Sequence, residues 1–372
     1  MLTRRNFAAR VGLAAAAARL LPEMAYAQRA AVGGADLPKD MVWLNANEFP
    51  AGPPQVSLAA MREVLPTSGR YHYQEFREIY AAIARSEELA PEQIITGCGS
   101  SEVLHTSVDL LTSPTRPLIS VAPAYEAPIE LARVLGRPVV LTKLREDHTA
   151  DVRKLAEEAG KAGGGLIYIC NPNNPTSAMT TAKDIDWLVS NLPANTTLLV
   201  DEAYIHFGEN PELKTALAYV RQGKDVIVTR TYSKIYGMAG LRVGFAAARP
   251  DVIERLSPLR MNVIPIVSAR AVVAALGDQQ NILRERRTSL ARTRRELCGW
   301  LRESKVNFIE PHANFIMIDV GRNAKEFIAA MPRLGVAPGR PFPPLDNMLR
   351  VTIGTDQEMA KFREVFWKVY KG

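Results

Sequence analysis

The sequence has few of the residues that carry metal and disulfide chemistry. Its three cysteines, Cys98, Cys170 and Cys298, are an odd number with no CxxC spacing, so they define neither a disulfide framework nor a zinc site. Cys98 and Cys170 stand in or beside apolar runs and are expected to be buried small hydrophobes. Five histidines include no HExxH and no close pair, so no metal is expected. No internal apolar run is long enough to cross a bilayer. There is no internal repeat. The arginine-rich stretch from Arg284 to Arg302 has no nucleic-acid-binding motif beside it and reads as a solvated helix face, so no nucleic-acid partner is expected.

What is present is a globular composition. The chain has 372 residues, 47% hydrophobic and 23% charged, enough for one large domain and a smaller one. The net charge of +7 is partly local. Arg4, Arg5, Arg10 and Arg19 face only Glu23 in the first 27 residues, and without that segment the balance is +4, an ordinary surface. The same segment has a basic start (Arg4-Arg5-Asn6-Phe7), an apolar alanine-rich middle and a small-x-small end at Ala25-Tyr26-Ala27. That pattern predicts a twin-arginine export signal over residues 1–27, a route for already folded proteins. It places the mature chain in the periplasm, with no membrane association after cleavage.

Short apolar runs alternate with amphipathic stretches. Ile94-Ile95-Thr96, Pro117 to Val121, Val139 to Leu141, Gly165 to Ile169, Thr197 to Val200, Asp225 to Thr229 and Val243 to Ala247 read as strands. Ser101 to Leu111, Glu126 to Leu135 and Ala182 to Leu192 read as helices between them. Continuous apolar strands separated by helices predict an α/β fold with a mostly parallel seven-stranded sheet covered on both faces. After about Arg260 the texture changes. A long helical region from about Val267 to Glu303 leads to an alternating strand from Asn314 to Asp319. A helix, a Pro/Gly-rich segment and a strand from Leu349 to Ile353 follow, as in a smaller α+β domain. The expected division is an N-terminal arm over 28–44, a large domain over 45–262 and a small one over 263–372.

In an open α/β sheet, ligands bind outside the carboxyl ends of the strands, and four such ends carry polar groups. Gly97-Cys98-Gly99-Ser100-Ser101-Glu102 offers backbone N–H groups and hydroxyls to a phosphate at a helix start. Asn171-Pro172-Asn173-Asn174-Pro175-Thr176 is a rigid turn that can present an amide. Asp201, straight after a buried strand, needs a cationic or donor partner, because an unpaired buried charge is very costly. Lys234, among small and apolar residues in Thr231 to Phe245, would lose solvation, which favours its neutral, nucleophilic amine, and Arg242 supplies a fixed fork for a phosphate.

In this order and spacing the four segments resemble the fold-type I pyridoxal-phosphate aminotransferases of the class I/II group, most nearly the histidinol-phosphate aminotransferases. The resemblance runs from Leu44-Asn45-Ala46-Asn47-Glu48 to Leu349-Arg350-Val351-Thr352-Ile353-Gly354. It implies pyridoxal phosphate as cofactor, anchored on Lys234, which then moves the substrate proton. It implies that Asp201 pairs with the pyridinium nitrogen, that Asn174 and Tyr204 reach the ring oxygen, and that Tyr125 stacks on the ring. Ser100, Ser101, Thr231, Ser233 and Arg242 would hold the phosphate. Tyr71 would reach the phosphate of a second subunit, which requires a homodimer with shared sites. Arg350 would clamp the substrate carboxylate, with Asn45 and Arg340 beside it. The implied reaction moves an amino group between an L-amino acid, or a histidinol-phosphate-like amine, and a 2-oxo acid. A same-fold decarboxylase, of the threonine-phosphate type, or a racemase stays open as the alternative. Three segments depart from the family pattern, one of them Arg260-Met261-Asn262-Val263, which lacks the tyrosine usual near there. Ser177 stands where glycine is usual, with an effect expected to be local. The Pro338-Gly339-Arg340 register matches only loosely where the histidinol-phosphate enzymes place an arginine on the substrate phosphate.

Overall fold

A computed structural model describes residue 38 and residues 40–371; the export segment expected over residues 1–27 lies outside them. Strand β1 (Val42–Leu44) is followed by helices α1 (Gln55–Val64) and α2 (Phe76–Ser86). The central sheet comprises β2 (Ile94–Cys98), β3 (Leu118–Ala122), β4 (Val139–Lys143), β5 (Gly165–Cys170), β6 (Thr196–Asp201), β7 (Val226–Thr231) and β8 (Val243–Ala247). Its order is β2-β8-β7-β6-β5-β3-β4. Only β8 runs against its neighbours, and the other adjacent pairs are parallel. Helices α3 (Gly99–Leu111), α4 (Ala127–Val134), α5 (Val152–Lys161), α6 (Ala182–Ser190) and α7 (Leu217–Arg221) connect successive strands, and α8 (Pro250–Leu256) follows the last of them.

The strands read as near-continuous apolar runs because layers cover both of their faces. Every residue of β5 and β7 is buried, as parallel strands between two layers require. Helix starts are set locally. The Asp151 carboxylate accepts from the Lys154 amide at 3.0 Å and opens α5, and the Thr181 hydroxyl accepts from the Asp184 amide at 3.1 Å and opens α6. The parallel arrangement brings the ends of β2, β3, β5, β6 and β7 to one edge of the sheet. Because β8 is reversed, its start, next to Arg242, lies at the same edge.

The expected helical region from about Val267 to Glu303 is two helices, α9 (Ile266–Gly277) and α10 (Gln279–Glu303). The break falls at Gly277-Asp278, where Asp278 leaves helical geometry and its carboxylate accepts from Asn281 Nδ2 at 2.7 Å. Helix α9 lies against α1, where Ser57 Oγ donates to the Ala271 carbonyl at 2.7 Å. The C-terminal part contains β9 (Phe308–Ile309), β10 (Phe315–Asp319), α11 (Lys325–Ala330), β11 (Val336–Pro338), β12 (Met348–Thr352) and α12 (Asp356–Lys371). Strands β9, β10 and β12 make a three-stranded sheet, and β1 pairs in parallel with β11. That pairing carries Asn45 to Glu48, immediately after β1, over the edge of the central sheet.

Two local expectations are corrected. Cys98 is exposed, whereas Cys170 and Cys298 are buried. Cys98 closes the edge strand β2, where the polar turn begins and one side of the chain meets solvent. Ser177 also acts beyond its own turn. It takes a left-handed φ of 61°, and its Oγ accepts from the amides of His312 and Ala313 at 3.1 and 2.9 Å. The hydroxyl therefore ties the Asn-Pro-Asn-Asn-Pro-Thr turn to the chain entering β10.

Candidate active site

Strand periodicity separates two neighbouring carboxylates at the end of β6. Successive side chains point to opposite faces. Glu202 is directed at Arg230, which donates Nε and Nη2 to Glu202 Oε2 at 3.0 and 2.9 Å and also pairs with Glu87. All three are buried, so each charge has a partner. Asp201 faces the other way, into a cavity of about 440 Å³. Its Oδ1 accepts from Thr229 Oγ1 at 3.1 Å and from the Ala203 amide at 3.2 Å. Burial pushes its carboxyl up to about 6, against these hydrogen bonds and the Lys234 charge. A buried acid raised in this way is held as an anion best by a cationic partner entering the cavity.

The same cavity is lined by Asn45, Ser100, Ser101, Tyr125, Asn174, Tyr204, Thr231, Ser233, Lys234, Arg242, Arg340 and Arg350, twelve of the sequence-predicted residues together with Asp201. Lys234 is half-buried; its Nζ donates to the Ala46 carbonyl at 3.1 Å and stands 5.6 Å over the Tyr204 ring. Tyr204 and Asn174 converge, with Asn174 Nδ2 3.5 Å from the phenol oxygen. Burial raises the Tyr204 phenol, so it stays a neutral hydroxyl able to donate. Tyr71 does not join them. It is 70% exposed and stacks on Tyr73 at 5.0 Å, away from the cavity of its own chain.

One end of the cavity is a cradle for an anion. Helix α3 opens there with Gly99, Ser100 and Ser101, and Arg242 closes over it. A β-carbon on Gly99, which has φ +72°, would lie 2.5 Å from Arg242 Nη2, and one on Gly244 would lie 2.2 Å from the Ser100 amide. Only glycine lets the arginine and the helix start approach so closely. Arg242 Nη1 donates to Ser233 Oγ at 3.4 Å, and Thr231 Oγ1 donates to the same oxygen at 2.9 Å. The other end holds Arg350, whose Nη1 donates to Asn174 Oδ1 at 2.7 Å and whose Nη2 donates to the Asn45 carbonyl at 2.6 Å.

Several contributors carried no sequence signal of their own. Asn47, at φ 54°, donates Nδ2 to the Tyr204 hydroxyl at 3.1 Å. Ala46 contributes only its carbonyl. Cys170 lines the cavity beside Asp201 and is not a nucleophile, because burial raises its thiol far above the ordinary range. Glu126 pairs with Arg340 at the cavity wall. The tolerance of asparagine for left-handed backbone is the one hint the sequence offered at Asn47; the others depend on contacts between distant segments.

A phosphate cradle at a helix start, a buried acid with an open side, a lysine between them and a ring-sized space define a pyridoxal-phosphate enzyme of the aminotransferase fold. The comparisons place it more closely. The family model "Aminotransferase class I and II" matches residues 39–366, and the chain belongs to that family. It is 32% identical over 332 residues to a histidinol-phosphate aminotransferase of Symbiobacterium thermophilum, covering 87% of this chain and 89% of that protein. It is 31% identical over 350 residues to an aromatic amino acid aminotransferase of Mycobacteroides abscessus, covering 93% and 97%. The crystal structure of histidinol-phosphate aminotransferase from Sinorhizobium meliloti in complex with pyridoxal-5'-phosphate superposes with a TM-score of 0.82 at 25% identity, covering 89% of this chain and 91% of that one. The protein is a pyridoxal-phosphate-dependent aminotransferase, and decarboxylation or racemisation is not favoured.

Proposed function

We propose that this aminotransferase works as an exported homodimer in which each of the gathered residues has a defined task. The observation that carries the assignment is the convergence of Lys234, Asp201, Asn174, Tyr204, Arg242 and Arg350 on one cavity. Ser100, Ser101, Thr231, Ser233 and Arg242 hold the cofactor phosphate, and Tyr125 covers the ring. Asp201 stabilises positive charge on the ring nitrogen. Pyridoxal phosphate supplies an electron sink for the charge that develops at the substrate α-carbon. Lys234 anchors the cofactor and removes and returns the α-proton, and Asn174 and Tyr204 orient the ring oxygen. Arg350, a planar fork held by Asn174 and the Asn45 carbonyl, receives the substrate carboxylate and fixes which α-substituent points at Lys234.

Exposed Tyr71 supports sharing between subunits, since a large aromatic with no cavity on its own chain can serve that of a second copy. Tyr71→Ala should weaken cofactor retention, and sedimentation should give a dimer. Residues 1–27 support export, and Arg4→Lys/Arg5→Lys should leave the uncleaved chain in the cytoplasm. The reaction itself is tested with the holoprotein and one L-amino acid, no acceptor added. One equivalent of 2-oxo acid per loaded site is expected. Release of carbon dioxide instead would overturn transamination.

A further inference from the structure

Glu126 immediately follows Tyr125 and precedes helix α4, so its carboxylate lies at a helix N-terminus, where negative charge is favoured. It lines the active-site cavity and is paired with Arg340, which reaches it from the segment after β11. Arg340 is fixed further. Its Nη1 donates to the Pro341 carbonyl at 3.1 Å, and its guanidinium lies 4.1 Å over the Phe342 ring. Arg350 stands 4.6 Å over the same ring. The two arginines therefore flank Phe342, and Arg340 lies on the side of the cavity that receives the substrate. A bare guanidinium at that place would attract a second anionic group on the substrate. Here a carboxylate of the same chain already occupies it.

We propose that Glu126 determines substrate choice, by neutralising Arg340 so that the pocket favours amino donors with uncharged side chains over those bearing a side-chain carboxylate or phosphate. This rests on the assignment of Arg350 to the α-carboxylate. Discrimination arises from repulsion as well as lost attraction, since a substrate anion must displace Glu126 from Arg340 and then lie beside it. Both residues remain partly open to solvent, which moderates the effect to roughly tenfold.

The test uses the holoprotein, its Glu126→Gln and Glu126→Ala variants, and the pair Glu126→Gln/Arg340→Met. Two non-reacting carboxylates, glutarate and 3-phenylpropionate, are titrated by calorimetry, and the ratio of their affinities is the readout. Each Glu126 variant is expected to shift the ratio toward glutarate by roughly tenfold, and the added Arg340→Met should cancel the shift. The ratio of kcat/KM for O-phospho-L-serine over L-leucine should move in the same direction. An unchanged ratio, or a shift that survives Arg340→Met, overturns the proposal. A shifted calorimetric ratio in a protein that releases no 2-oxo acid from any donor would instead count against the transamination reading and leave the role of Glu126 standing.

Discussion

The two walls that the proposed assignment gives the active site, one for the cofactor and one for the substrate, are built differently. The cofactor wall comes from consecutive strand ends of one sheet, at Ser100, Asn174, Asp201, Thr231 and Arg242, and each group is positioned by the strand or helix start it sits on. The substrate wall is assembled from Asn45, Glu126, Arg340 and Arg350, drawn from three distant segments that meet through the Glu126–Arg340 ion pair and the bond from Arg350 to the Asn45 carbonyl. A sheet edge fixes its residues through backbone ladders that tolerate many substitutions around them. A wall made of pairs changes specificity when either partner changes. A common cofactor chemistry with varied substrates follows from that asymmetry.

The comparison breaks most sharply at Lys234. Lys234→Ala should lower kcat by about 10³–10⁴-fold, because in the proposed assignment it removes both the anchor and the general base, measured by steady-state turnover with saturating donor. Arg350→Lys keeps the charge but loses the fork held by Asn174 and the Asn45 carbonyl. It should reduce kcat/KM for amino acids by about 10²-fold, mostly through KM, and leave cofactor absorbance in place.

The cofactor wall also has a pH consequence. Asp201 is raised from 3.8 to about 6 by burial, so between those values the folded, cofactor-free protein binds more protons than the unfolded chain. The stability contribution is fully present below 3.8 and is lost as pH rises through about 6. Thermal melts of cofactor-free wild type against Asp201→Asn should differ in slope over that window by about 2–3 kcal/mol in total. Equal slopes would place the titration elsewhere.

The smallest effect joins the two walls. Ser177→Ala leaves the Ala313 amide without its hydroxyl acceptor, while the His312 amide keeps the Ser177 carbonyl at 2.9 Å, and it retains a side chain at φ 61°. It should cost about 2 kcal/mol in denaturant unfolding. Ser177→Gly should cost less, since glycine regains about 1 kcal/mol at a left-handed φ.

This contrast explains what the sequence disclosed. The strands of the central sheet stand out as apolar runs because they are largely buried, with edge strand β4 as the exception at exposed Leu141, and the polar groups at their ends follow directly. The order Asn174, Asp201, Lys234, Arg242 was legible for the same reason. The pairing of β1 with β11, the reach of Ser177 to Ala313 and the hold of Glu126 on Arg340 were not legible. Each depends on residues more than a hundred positions apart, and nothing in local periodicity encodes such a contact. The break at Asp278 was missed because Gly277 sits within a pattern that stays helical on both sides.

The proposed anchoring of the cofactor on Lys234 is the point on which the whole site turns. Borohydride reduction of the holoprotein followed by peptide mapping tests it directly. A pyridoxyl group on Lys234 alone is the expected result. A pyridoxyl group on another lysine, or none in a protein that retains the cofactor, would contradict the account.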